Sequence, residues 1–297
     1  MKERPRIVGL GEILWDILPD GRRHLGGAPL NAAVHARALG CTASVVSAVG
    51  DDLLGREAIK LVTEQHGLDA SAITILPDRP TGAVDVRLHQ GQPTYEFRAE
   101  VAWDFLEATD ATRQLVQAAD AIIFGTLAQR SAASRRAIHE WLAMARSLCL
   151  RVFDVNLRPP FYDDTILRES LALTDVLKLN DDELPIVLAA MRLPAEADWA
   201  AHLLGVLPQL STLALTRGAR GSTLFSRERS AGHTLPARQV TVQDTIGAGD
   251  AFTAALVAGL LKGCTLDAIH EHAVAAAAFV CSQAGATPPL PQGLIGT

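Results

Sequence analysis

The chain has 297 residues, 48% of them hydrophobic and 20% charged, enough apolar material for one large α/β domain or two smaller ones. A formal net charge of −6 argues against a surface made to grip nucleic acid or an anionic membrane, while leaving room for a local phosphate pocket. No run of about 18 apolar residues is free of charges and breakers, so no transmembrane helix is expected.

Met1–Arg6 is charged and leads straight into a strand pattern, with no apolar core of a signal peptide. Arg6–Leu10 reads as a buried strand, Pro29–Leu39 as an Ala-rich helix, Ser44–Ala48 as a strand, and Leu53–His66 as a helix closed by Gly67. Gly82–Leu88 and Thr94–Arg98 alternate with period two on either side of His89-Gln90-Gly91-Gln92-Pro93, the pattern of a β-hairpin. No helix follows it and it is polar on both faces, so it is expected to leave the main sheet, as a lid over a site or as a surface ornament. Ala121–Phe124, Leu150–Asp154, Val176–Leu179 and Thr212–Thr216 are further strand-like runs. Helical patterns fall at Ser131–Arg146, Thr165–Ala172, Asp182–Ala190 and Trp199–Leu207, and two last helices at Gly249–Lys262 and Leu266–Gln283. The alternation predicts an α/β fold: a three-layer, doubly wound, mostly parallel sheet with ligands at the carboxyl ends of its strands. No linker or repeat divides residues 1–297, which read as one domain. The four cysteines, Cys41, Cys149, Cys264 and Cys281, show no Cys-x-x-Cys spacing and the nine histidines no His-Glu-x-x-His, so free thiols and a reducing cytoplasm are expected.

Asp244-Thr245-Ile246-Gly247-Ala248-Gly249-Asp250 opens a small, apolar helix. Two glycines around an alanine at a helix entrance let backbone N–H groups turn toward one point, an anion hole reinforced by the helix dipole. Asp250 then falls in the first turn, where a carboxylate either takes a proton from an attacking hydroxyl or merely complements the dipole. Gly26-Gly27-Ala28-Pro29-Leu30-Asn31 is a second glycine cluster ahead of a helix, with Asn31 able to meet sugar hydroxyls or to sit as a buried helix Asn. In Lys178-Leu179-Asn180-Asp181-Asp182-Glu183, Asn180 and Glu183 share a helix face and suit either a hydrated Mg²⁺ or a capping box. Thr216-Arg217-Gly218-Ala219-Arg220-Gly221 joins two strands and offers a hydroxyl, glycines and basic groups to phosphates. The chain has no Gly-x-x-x-x-Gly-Lys-Ser/Thr loop and no protein-kinase motif set, and Leu14 occupies the third glycine position of the dinucleotide-like Val8-Gly9-Leu10-Gly11 run.

Taken together, the segments from Gly26-Gly27-Ala28-Pro29-Leu30-Asn31-Ala32-Ala33 to Gly50 and from Asp244 to Val257 resemble the two signatures of the ribokinase-like (PfkB) family of sugar kinases, with fructokinase-like members nearest in wording. The resemblance covers nearly the whole chain. It implies a ribokinase-like fold and transfer of phosphate from ATP, with Mg²⁺, to a sugar hydroxymethyl group, and it leaves room for a monovalent cation. By position, Asp250 resembles the catalytic base, and Gly247, Ala248 and Gly249 the anion hole. Asp16, Gly27 and Asn31 resemble the sugar contacts, and Asn180 with Glu183 the element that orders Mg²⁺ through water. Thr216, Gly218 and Gly221 match a nucleotide-binding Thr-x-Gly-x-x-Gly pattern, while Asn156, Arg158 and Lys178 are expected near the phosphates. Residues of about 12–25 and 82–100 correspond to the family's lid, from which Tyr95 and Arg98 are expected to reach the sugar and which commonly pairs with a second subunit to give a homodimer. Tyr95-Glu96-Phe97-Arg98 and Glu100-Val101-Ala102-Trp103-Asp104 depart from the usual lid wording. Fructose is the leading acceptor, with ribose, 2-keto-3-deoxygluconate or a nucleoside as alternatives, and a sugar- or nucleotide-binding regulator without turnover as the reading from another class.

Overall fold

In the computed structural model, which describes residues 3–89, 92–195, 198–229, 232–291 and 293–294, the main sheet is built around β1 (Arg6–Leu10). Four of its five residues are buried, because helices cover both of its faces. β2 (Leu14–Ile17) and β3 (Arg23–Gly26) leave that sheet as an antiparallel pair. α1 (Ala28–Ala38) carries Pro29 in its first turn, and β4 (Thr42–Gly50) returns parallel to β1. α2 (Leu53–Lys60) is capped by Asp52, which accepts from the Gly55 amide, and it runs on through a π-turn, Leu61–Gln65, to Gly67 at φ +61°. β5 (Ile73–Leu76) closes that edge beside β4.

β6 (Gly82–His89) and β7 (Gln92–Phe97) form the expected hairpin, whose turn residues Gln90 and Gly91 lie outside the described residues. It joins β2 and β3 in a separate four-stranded sheet of order β3-β2-β6-β7, in which β6 runs parallel to β2. The chain then repeats helix and strand: α3 (Asp110–Ala118), β8 (Ala121–Phe124), α4 (Ala132–Met144), β9 (Leu150–Asp154), α5 (Asp164–Ala172), β10 (Val176–Asn180), α6 (Leu184–Ala190), α7 (Trp199–Val206) and β11 (Thr212–Thr216). β12 (Ser222–Ser226) and β13 (His233–Leu235) add on antiparallel, and α8 (Ala248–Leu261) and α9 (Leu266–Cys281) end the fold.

The main sheet has the order β13-β12-β11-β10-β9-β8-β1-β4-β5. The winding reverses at β1, between β8 and β4, which makes the carboxyl ends of β1 and β8 the switch point where open α/β sheets hold ligands. Alternation along the strands splits the core in two. Val8, Leu10, Phe124, Phe153 and Leu179 face α3 to α7, while Ile7, Ile123, Val152 and Val176 face α1, α8 and α9. Gly9 lets α1 lie close on β1, since a Cβ there would stand 2.1 Å from the Pro29 carbonyl oxygen. No helix among the described residues is long and apolar enough to cross a membrane, and all four cysteines are free.

Candidate active site

The start of α8 is shaped by Gly247. Its φ of +78° and the 2.1 Å that would separate a Cβ from the Ala286 carbonyl oxygen exclude any larger residue. The Ala248 amide donates to Thr245 at 3.3 Å, so it closes the turn rather than facing a ligand. The open donors are instead the N–H groups of Gly247, Gly249 and Asp250, which find no acceptor among the described residues, as the first turn of a helix dictates. Of the three residues expected to line the hole, Gly247 and Gly249 thus have open amides and Ala248 a paired one, with the open Asp250 amide beside them.

Asp250 is 9% exposed, and its Oδ2 accepts from Asn31 Nδ2 at 2.8 Å. Burial, and after it the charge of Asp154, push its carboxyl up to about 6, against the Asn31 hydrogen bond and the charges of Lys178 and Arg158. Because the carboxylate can only accept, the Asn31 amide must turn its NH₂ to Asp250 and its oxygen away. That oxygen is buried and has no partner. A Cβ on Gly26 would lie 4.0 Å from it and 3.7 Å from Asp16 Oδ2, so two acceptors border one gap that a glycine keeps open. Asp16, on β2, is itself pushed upward by burial, with His24 and Arg158 opposing.

Beneath the gap lies Glu12, in the turn after β1. Gly27, at φ +115°, runs so close that a Cβ would meet the Glu12 carbonyl oxygen at 2.3 Å. Glu12 Oε1 accepts from the Ala28 amide at 3.2 Å, capping α1 from across the loop because Gly27 has no side chain to do so. Its Oε2 is buried without a partner, and burial pushes the carboxyl up to about 7. The one signal for Glu12 in the sequence is an acid directly after an apolar strand, and its role in the site was missed there.

Two strand ends, those of β9 and β10, meet under α8. Lys178 on β10 lies 2.9 Å from Asp154 on β9, and Thr253 on α8 donates to the other Asp154 oxygen at 2.8 Å. A Cβ on Gly249 would be 3.0 Å from Lys178 Nζ, which puts the ammonium against the amide-lined helix start. Burial disfavours that charge, but Asp154, Glu183 and Asp250 outweigh it and hold the Lys178 ammonium above its usual range. Asn156 adopts φ +40°, and Arg158 anchors one guanidinium nitrogen on the Leu157 carbonyl at 3.0 Å. The charge of Arg158 reaches Glu12, Asp16 and Asp250.

Asn180 and Glu183 form a capping box. Asn180 Oδ1 accepts from the Glu183 amide at 2.9 Å, and Glu183 Oε2 accepts from the Asn180 amide at 2.8 Å, while Oε1 takes the Leu157 amide. Thr216, Gly218 and Gly221 line a cavity of about 710 Å³ whose walls include Val240, Val242 and Phe252 and which Ala248 and Gly249 close at the α8 end. Its size and apolar walls suit a nucleotide-sized ligand. Gly221 takes φ +86°, and a Cβ there would meet the Leu235 carbonyl oxygen at 2.1 Å.

The two residues expected from the hairpin part company. Tyr95 is paired with Val86 and so shares the face of Asp16 and Val84, with its ring half exposed. Arg98 lies across from Ala83, on the opposite face, where both guanidinium contacts to Asp85 measure 2.9 Å. Strand alternation thus places Arg98 on the face opposite Asp16, where an acid on the same face holds it.

A sequence profile described as pfkB family carbohydrate kinase matches residues 17–293. The chain is 32% identical over 267 residues to a fructokinase of Klebsiella pneumoniae, spanning 86% of this chain and 84% of that one. It is 30% identical over 280 residues to a 2-dehydro-3-deoxygluconokinase of Thermoproteus tenax, spanning 91% and 83%. Among solved structures, an uncharacterized sugar kinase from Pyrococcus horikoshii in complex with ATP aligns with a TM-score of 0.82 and 28% identity over 95% of each chain. A match that spans most of the chain, with identities of up to 32% to curated sugar kinases, places this chain in the pfkB family of carbohydrate kinases.

Proposed function

We propose that this sugar kinase transfers the γ-phosphate of ATP to the hydroxymethyl group of a neutral monosaccharide, with fructose the favoured acceptor. One observation carries the reading. Asp250 stands beside unpaired amides in the first turn of α8, and the Asn31 side chain that donates to it borders, with Asp16, a gap lined by acceptors. A polyol in that gap donates its hydroxyl protons to Asp16 and Asn31 and brings its hydroxymethyl oxygen to Asp250. Asp250 takes that proton as the oxygen attacks the γ-phosphorus; the new O–P bond forms, the bond to the bridging oxygen breaks, and ADP leaves. The amides of Gly247, Gly249 and Asp250, with the helix dipole and the Lys178 ammonium, hold the charge of the transferring group.

Gly27 lets the sugar-bearing loop approach Glu12, and Tyr95 faces the sugar from the small sheet. Asn156 and Arg158 serve the phosphate side, and Thr216, Gly218 and Gly221 the nucleotide in the large cavity. Mg²⁺, when bound with ATP, neutralises phosphate charge. Asn180 and Glu183 fit the waters of such an ion rather than the ion itself, because their oxygens already accept backbone amides. The free edge of β7 suits pairing with a second copy, which would give a homodimer.

Charge favours a neutral acceptor over an acidic one. Glu12, Asp16 and Asp250 surround the gap, Arg158 is the cation shared among them, and Arg98 is held by an acid on the face opposite Asp16. A carboxylate or phosphate on the sugar adds a further negative charge there. The test is ADP release with fructose, ribose, 2-dehydro-3-deoxygluconate, fructose 6-phosphate and a nucleoside panel. Fructose is expected to give the highest kcat/KM. A higher value for an acidic sugar overturns the acceptor, and no release with any of them despite ATP binding favours a regulator.

A further inference from the structure

Asp154 is an acid at the end of an apolar strand, in contact with no residue assigned to the sugar. Its two oxygens are nonetheless both committed. One meets the Lys178 ammonium at 2.9 Å on the neighbouring strand, and the other accepts from Thr253 Oγ1 at 2.8 Å. Thr253 lies three residues after Asp250, on the same face of α8, and its one hydroxyl proton is shared between Asp154 and the Gly249 carbonyl oxygen, 3.0 Å away. All three side chains are buried. One carboxylate therefore joins β9, β10 and the second turn of α8, and through the shared Thr253 hydroxyl it reaches Gly249 in the first turn.

We propose that Asp154 is a positioning residue for phosphoryl transfer, which fixes Lys178 beside Gly249 and locks the first turn of α8 so that Asp250 meets the acceptor hydroxyl. The inference rests on the reading of Asp250 as the base and goes beyond it by assigning the group that aims it. Asp250 is faced by Asp154 from β9, Lys178 from β10, Arg158 from the segment after β9, Glu12 from the turn after β1, and the neutral Asn31 from α1. In this set Asp154 keeps Lys178 off the base. Without the Asp154 carboxylate, the acids left to the ammonium are Glu183 and Asp250, and an ammonium drawn onto Asp250 would make it a weaker base. Asp154 also contributes its own negative charge, which strengthens the base.

Asp154→Asn tests this, because it keeps the shape and an acceptor for Thr253 while removing the charge. kcat is expected to fall about 10–100-fold, as for a misaligned reacting group, with the KM for ATP and for sugar within about threefold. The acid limb of kcat/KM is expected to move to lower pH by roughly half a unit or more, since the base loses an anion and gains a cation. An unmoved limb with wild-type kcat overturns the proposal, and so does a parallel rise in both KM values with kcat unchanged. If Asp154→Asn does not fold, Thr253→Val removes one of the two locks and leaves every charge in place. It is then expected to lower kcat about fivefold or more with the acid limb unmoved, and a kcat within twofold of wild type overturns the proposal. Asp250→Asn run alongside separates the two readings. An inactive Asp250→Asn with a wild-type-like Asp154→Asn refutes the positioning role alone, whereas an active Asp250→Asn refutes both.

Discussion

Replacing Asp250 with Asn keeps the shape of the side chain and an oxygen for the Asn31 amide, but removes the charge and the capacity to take a proton. In the folded chain burial, and then the charge of Asp154, raise this carboxyl from 3.8 to about 6. The folded state therefore binds the proton more tightly than the unfolded chain does. The stability this confers is fully present below pH 3.8 and is lost as the pH rises through about 6. At about 1.36 kcal/mol per pH unit, the ionised carboxylate costs on the order of 3 kcal/mol at pH 8. Asn carries no such cost, so the variant is expected to be more stable at pH 8. Its Tm should rise by roughly 5 °C for a chain of this length, and the gain should vanish near pH 4. Turnover should move the other way. General-base help is worth about 10²–10⁴ in rate, or roughly 3–5 kcal/mol of barrier, so kcat from coupled ADP release is expected to fall at least about 10²-fold. Calorimetric affinities for ATP and sugar should change only a few fold. A first-turn Asp that served the helix dipole alone is worth about 0.3–1 kcal/mol in the opposite direction. Near wild-type turnover together with a small loss of Tm would therefore refute the base.

The wild-type kcat/KM is expected to fall with pH below about 6, where Asp250 takes up its proton; a flat profile down to pH 5 would remove the carboxylate from the rate equation. Asp16→Ala should raise the sugar KM by about 10–100-fold, from the loss of hydrogen bonds to a charged group worth roughly 1.5–3 kcal/mol, and leave the ATP KM nearly unchanged; equal losses for both ligands would make Asp16 structural. Arg98→Ala should leave the sugar KM within about twofold, because its pair with Asp85 is largely exposed, on the face opposite Asp16, and of a kind worth about 0–1 kcal/mol; a tenfold rise would place Arg98 at the sugar. Glu12→Gln should be stabilising above pH 7 and neutral near pH 4, since burial raises the Glu12 carboxyl from 4.5 to about 7 and its ionisation costs the folded state on the order of 3 kcal/mol; a Tm difference independent of pH would show that the cost is not electrostatic.

The frame of the fold was legible because a strand covered on both faces must be apolar without interruption. Arg6–Leu10, Ala121–Phe124 and Thr212–Thr216 are strands with the expected bounds for that reason, and Leu150–Asp154 keeps its bounds although Arg151, paired with Asp175, interrupts its apolar run. β5 was not legible: Ile73–Leu76 is a sheet edge with one fully buried residue, so no continuous apolar run marks it. Nor was α3, where only Thr112 and Val116 are buried. The glycine segments announced the site because Gly27 and Gly247 answer local demands, a positive φ and a carbonyl in the way. The hairpin was equally plain, yet the side from which Arg98 projects depends on the register of β6 against β2, strands more than sixty residues apart. The contacts that complete the site are also long-range. Asp154 meets Lys178 and Thr253, 24 and 99 residues away, and no local pattern links them. Asn180 and Glu183 fit two local patterns at once, and the hydrogen bonds show the capping box.

The placement of charge explains why the site was assembled from distant pieces. A base that works near neutral pH needs a carboxyl raised above its usual range, which requires burial and a neighbouring anion. Stacking such groups in one stretch of chain would expose them together in the unfolded state and bury them together on folding. Here α1, β9, β10 and α8 each bring one or two, and the fold supplies the compensation: an amide from Asn31, an ammonium from Lys178 and a guanidinium from Arg158. Lys178 balances Asp154, yet Asp250 and Glu12 keep carboxyls raised to about 6 and about 7. Both ionised forms destabilise the folded chain, and that opposition separates a site from a scaffold. Apolar core positions lose stability when they are changed, whereas Asp250 and Glu12 should gain it when neutralised. Positions where stability rises as turnover falls therefore mark the reacting centre, and they should converge on the first turn of α8 and the gap between Asp16 and Asn31.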